Sequence, residues 1–154
     1  MAVFFAVIGT ILVFLLFRAA SRERAKQKSI DNEFLLNLEE SRLAYRYLDI
    51  IDDVARHASS EGYAEKRGEK LLGSYSGATN FDTKEVGSLF VTTKAIVFSN
   101  DRLADRITWT SIRAFHVKRD GLEILRTRGW RKAYKCDDPS FLALAEAAFL
   151  RGSA

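Results

Sequence analysis

The chain has 154 residues, with 24 Lys plus Arg against 20 Asp plus Glu, one Cys, one Pro and two His. That length holds one domain of ordinary size with short extensions and excludes a large multidomain enzyme. A single Cys cannot pair within its own chain, so a disulfide scaffold is excluded too.

Apolar residues are concentrated at the start, where Ala2 to Phe17 reads AVFFAVIGTILVFLLF, sixteen positions without a charge. As a helix this run spans about 24 Å, short of the roughly 30 Å hydrocarbon core of a bilayer. Met1, Ala19 and Ala20 extend it, and Arg18 can reach back to the lipid phosphates, so residues 1–20 are expected to form a transmembrane anchor. A cleaved secretory signal fits less well. No Lys or Arg precedes the run, and cleavage after Ala19 or Ala20 would put Phe17 or Arg18 where a small residue is wanted.

Beyond the run, Arg18, Arg22, Arg24, Lys26 and Lys28 are opposed only by Glu23. Positive flanks stay in the cytoplasm, so the expected topology is single-pass, with the N-terminus outside and the C-terminal body cytoplasmic. The unpaired Cys136 fits that reducing side. The same five cations either mark topology alone or also hold anionic headgroups of the lipid bilayer.

From Ile30 to Ser60 the charge inverts to seven acids against three Arg, with no Gly or Pro. Leu36, Leu43, Tyr47, Ile50 and Val54 recur at helical spacing, predicting a long acidic helical stalk within residues 21–61. The stripe suits either self-association through residues 30–60 or packing on the domain that follows. Glu40, between Leu36 and Leu43, interrupts a heptad seam and favours packing. Residues Glu61 to Gly68, with two Gly and mixed charge, read as a linker.

From residue 69 the texture changes to short β-branched and aromatic runs broken by Gly, Asn and Asp. Strands are predicted over Leu71 to Ala78, Ser88 to Thr92, Ala95 to Ser99, Arg106 to Trp109, Ile112 to Lys118, Leu122 to Thr127 and Trp130 to Cys136. Thr92-Thr93-Lys94, Asp120-Gly121 and Arg128-Gly129 supply hairpin turns. A closing helix follows, with Asp138 to cap it, Pro139 in its first position, and Phe141, Leu144, Ala145, Ala148 and Phe149 as its apolar stripe.

The runs GSLFVTTKAIVFSN and ITWTSIRAFHVKRDGLEILRTRGWRKAYKCDDPSFLALAEAAFL resemble the pleckstrin-homology-like superfold in its bacterial and GRAM-like versions. Gly87, Leu89, Val91, Thr92, Ile96, Phe98, Ile107, Ile112, Gly121, Leu122 and Phe141 carry the likeness. It implies an α+β domain over residues 62–154, a seven-stranded bent antiparallel barrel closed by a C-terminal helix. A bacterial version behind an anchor would sit at the inner membrane. Phosphoinositide-binding members carry several cations around the first hairpin, whereas SYSGATNFDTKEVG offers Lys84 against Asp82 and Glu85.

The domain's 16 basic residues outnumber its 11 acidic ones, and the surplus lies between Lys118 and Lys135. Lys118, Arg119, Arg126, Arg128, Arg131 and Lys132 are the candidate contacts for an anionic headgroup or an acidic partner, against an ordinary solvated face. No stacking platform accompanies them, so nucleic acid is not an expected partner. His57, His116 and Cys136 are thin material for catalysis, and no paired His or Cys spacing suggests a metal. The chain thus reads as a non-enzymatic, membrane-tethered interaction module without a cofactor, docking a protein partner or serving a membrane complex. The alternative is a module recognising anionic lipid headgroups.

Overall fold

The computed structural model describes the backbone of residues 2–46 and 68–153 and the side chains of residues 19–45 and 68–153. It comprises two units, residues 1–34 and 35–154. Helix α1 (Ala2–Arg46) begins in the first of them, and its backbone runs unbroken through the expected anchor, the basic flank and the first half of the stalk. No Pro interrupts it. Arg22, Arg24, Lys26 and Lys28 are exposed along it. The side chains of the apolar run Ala2–Phe17 and of Arg18 lie outside the described residues, as do the second half of the stalk, His57 and the expected linker up to Arg67. Among the described residues no helix is long and apolar enough to cross a membrane.

In the second unit, the end of α1 departs from the expected stripe. Leu36 and Leu43 are 65% and 50% exposed, whereas Leu38 is 4% exposed. Arg42, one helical turn after Leu38, makes two bonds to Glu146, Nε to Oε2 at 2.6 Å and Nη2 to Oε1 at 2.9 Å. Residues four apart share a helix face, and this charged fork selects the Leu38 side over the Leu36 side.

The sheet has seven antiparallel strands: β1 (Leu71–Asn80), β2 (Val86–Thr92), β3 (Ala95–Ser99), β4 (Ala104–Thr108), β5 (Ile112–Lys118), β6 (Gly121–Arg126) and β7 (Lys132–Lys135). Their order is β4-β3-β2-β1-β7-β6-β5. The strands have the expected number and sequence, but neither Trp lies in one. Trp109 opens a 3-10 turn, Trp109–Ser111, where its indole N–H donates to the Thr92 carbonyl at 3.0 Å. Trp130 falls in the β6–β7 loop, 89% exposed.

The core-facing residues are those the period-2 alternation selects: Leu89, Val91, Ile96, Phe98, Ile107, Leu122, Ile124 and Tyr134, all buried. Helix α2 (Pro139–Gly152) closes one end, and the Asp138 carboxylate caps it by accepting from the N–H groups of Ser140 and Phe141 at 2.9 and 3.1 Å. Phe149 stacks on Phe115, with centroids 5.4 Å apart, while Trp109 meets both rings edge-on. Trp109, in the turn after β4, thus completes the aromatic cluster under the closing helix.

Thr92, the threonine of the G-x-L-x-V-T run, has a structural role. Its hydroxyl donates to the buried Glu69 carboxylate and accepts from the Ala95 N–H at 2.9 Å. Arg106 reaches the same Glu69 oxygen at 2.7 Å. Thr92 therefore ties the β2–β3 turn to β4 and, through its carbonyl, to Trp109.

Candidate functional site

The six cations singled out in the sequence do not form one edge. Alternation along β6 and β7 divides them. Leu122 pairs with Tyr134 and Ile124 with Lys132, so Lys132 and Arg126 share the side of the buried residues. Lys132 there reaches Asp105 of β4 at 3.0 Å, with its side chain 24% exposed. Arg126 is half-buried, and its Nε has no hydrogen-bond partner among the described residues.

Lys118 and Arg131 lie on the opposite, outer face, and both bind Glu123, Arg131 at 3.0 Å. The hydrogen bond from Lys118, followed by the charges of Lys118 and Arg131, holds the Glu123 carboxyl below the usual carboxylate range. Arg119 and Arg128 are exposed at the two turns, one at each end of β6.

The outer face carries a cavity of about 350 Å³ between the β1–β2 loop, the β5–β6 turn and β7. Its charged lining is Lys84, Lys118 and Arg131 against Asp82, Asp120 and Glu123, and its apolar wall includes Phe81. The three cations and three carboxylates cancel, so no net field draws a polyanion into it.

The walls are well fixed. Asn80 Oδ1 accepts from the N–H of Asp82 at 2.9 Å, an Asx turn that shapes the β1–β2 loop. Phe81 donates its N–H to the Ala133 carbonyl at 2.9 Å and so ties the loop to β7. Lys84 has φ +61°, and its ammonium lies 5.4 Å from the centre of the Phe81 ring. On the other wall Gly121 has φ +151°, and a Cβ there would lie 1.9 Å from the Tyr134 carbonyl oxygen. Only glycine lets this turn press against β7.

Of the candidate catalytic residues, the described ones, Cys136 and His116, sit in different settings. Cys136 is fully buried, and desolvation pushes its thiol up to about 12, whereas His116 is exposed on the outer face of β5. Among the described residues no group of three or more His, Cys, Asp or Glu is placed to hold a metal ion.

Sequence reasoning missed the cavity, Glu123 and Arg113. Glu123 could have been found from its period-2 relation to the cations, because it sits on the same outer face as Lys118 and Arg131. Arg113 is the extra residue where the β5–β6 register shifts between Ile112 and Ala114, and no local signal marks such a bulge.

No family model matches the chain, and no curated protein matches it either. Among solved structures, the chain is similar to the Vps36 N-terminal PH domain, with TM-score 0.50 and 10% identity over 61% of this chain and 87% of that one. It also matches the C-terminal domain of an unknown protein from Leishmania infantum, with TM-score 0.43 and 19% identity over 53% of this chain and 86% of that one. Seven antiparallel strands with a closing C-terminal helix, together with the first of these likenesses, give this chain a pleckstrin-homology-like α+β fold.

Proposed function

We propose that the chain is a non-enzymatic, membrane-tethered interaction module that docks a protein partner at the cavity between the β1–β2 loop, the β5–β6 turn and β7. The observation that carries this reading is the cancellation of charge there. Lys118 and Arg131 already have a carboxylate in Glu123, and Lys84 lines the same cavity together with Asp82 and Asp120. A polyanionic headgroup would have to displace Glu123, whereas a peptide segment of mixed charge with an apolar side chain for Phe81 meets complementary groups throughout. Tethering rests on the sequence: sixteen uncharged residues lead into five cations, with the C-terminal unit then on the cytoplasmic side.

Recognition of an anionic headgroup is the second reading. In its favour stand Lys84 and Lys118 at the cavity and Arg119 exposed in the adjoining turn. The two are separated by placing a photoreactive benzoyl-phenylalanine at Phe81 of the full chain and irradiating cells. A discrete protein adduct that disappears when Glu123 and Asp120 are both changed to Lys supports docking. Lipid adducts alone, or inositol-phosphate binding by the full chain that is lost on Lys118→Glu, overturn it.

A further inference from the structure

A second interaction surface lies at the other end of β6. The β6–β7 loop, residues 127–131, is pinned at its base by Thr127, whose N–H and hydroxyl both donate to the Ser111 carbonyl, at 2.9 and 3.1 Å. Beyond that base the chain turns at Gly129, with φ +97°, and presents Trp130 to solvent. At 89% exposed, Trp130 exceeds every other exposed large apolar residue among those described; the next, Leu36, is 65% exposed. Arg128 beside it is exposed, with no ion pair among the described residues, and so is Arg113 at the bulge of β5, which pairs with this end of β6. No Asp or Glu occurs from Ile124 to Cys136.

From this geometry we infer that the Trp130 loop is a contact for the interface of an anionic bilayer. Indole combines a large apolar face with one N–H donor, which suits the headgroup layer better than either water or hydrocarbon. Unpaired Arg side chains beside it gain from a negative surface, each by about five-fold in affinity. Area decides between a bilayer and a protein partner. One indole offers about 200 Å², flanked by Arg, Thr and Gly, whereas a stable protein interface takes about 800 Å² from each side. A bilayer needs no such surrounding patch, because the ring is enveloped wherever it enters. This inference does not rest on partner docking at the cavity: it is carried by Trp130, Arg128 and Arg113, none of which lines that cavity, although Arg131 of the same loop does.

Trp109, 1% exposed, is a constant internal reference, so Trp130 reports alone. The test is fluorescence of the full chain with vesicles of phosphatidylcholine, with and without phosphatidylglycerol, whose acyl chains carry bromine quenchers. With the anionic lipid, Trp130 emission shifts to the blue and is quenched. The change is absent in Trp130→Phe and falls at least about five-fold in Arg128→Glu, while both variants keep the Trp109 emission of the parent. Trp130 emission that stays red and unquenched with anionic vesicles overturns the inference, and so does equal quenching in both lipid compositions. The photoreactive probe at Phe81 reports on the cavity and is unaffected by either result.

Discussion

Replacing Gly121 by Ala tests how the cavity wall is held. A methyl group at this position would lie 1.9 Å from the Tyr134 carbonyl oxygen and 3.0 Å from the Lys135 Cα. Both are backbone, so no side chain can swing aside. Relief requires β7 to move away, which opens the Gly121–Lys135 pair and the neighbouring bond from Cys136 N–H to the Asp120 carbonyl, 3.1 Å long. Holding an L-residue at φ +151° costs about 1–3 kcal/mol, and leaving one backbone pair unmade costs about as much again. The expected loss is about 2–6 kcal/mol, toward the upper end of what point substitutions do. Gly77 is the control, because its φ is +84° but a Cβ there meets nothing within 4 Å. Gly77→Ala should therefore cost only the conformational part, about 1–2 kcal/mol. Urea unfolding followed by the buried Trp109, in a Trp130→Phe background, measures both. The contact argument is refuted if Gly121→Ala is no more destabilising than Gly77→Ala.

Three further outcomes are expected. Cys136, buried and with its thiol raised to about 12, should resist alkylation in the native chain at pH 8 and react only as the domain unfolds, as read by mass spectrometry. Glu123 should titrate below the ordinary carboxylate value of about 4.3, measured by side-chain carboxyl NMR. Because its folded-state value is depressed, its stabilising pairs with Lys118 and Arg131 are present above the unfolded value and are lost as pH falls through the folded one. Glu146→Gln should weaken the hold on Arg42 by about 1 kcal/mol, which appears as roughly five-fold faster amide exchange over residues 38–45.

What the sequence allowed to be read follows the range of the interactions concerned. Strands and hairpins were legible because period-2 alternation and Gly turns act within a few residues, as at Leu122–Glu123–Ile124 and Asp120–Gly121. The cap at Asp138 was legible for the same reason. The six cations were visible as a cluster, yet their separation onto two faces depended on pairing partners many residues away. Asp105 neutralises Lys132 from another strand, and Glu123 stands between Lys118 and Arg131. On α1, Leu36 and Leu43 satisfy helical spacing as well as Leu38 does, so spacing alone did not say which side packs within this unit. Glu146, 104 residues beyond Arg42, decided between them. Trp130 was misplaced because an aromatic residue beside a turn reads as strand, and only the missing neighbours in three dimensions leave it bare.

The strand order begins at β4 and ends at β5, so two rows of backbone donors and acceptors lie at the margins of the sheet, where a foreign strand would most readily attach. Each margin carries a deterrent. On β4, the strand is short, five residues, and carries the charges of Asp105 and Arg106, both devices that blunt an edge. On β5, the bulge at Arg113 spoils the even spacing of the ladder and sets a charge in the way. The sheet is thereby discouraged from growing copy upon copy, a hazard for any small sheet with open margins.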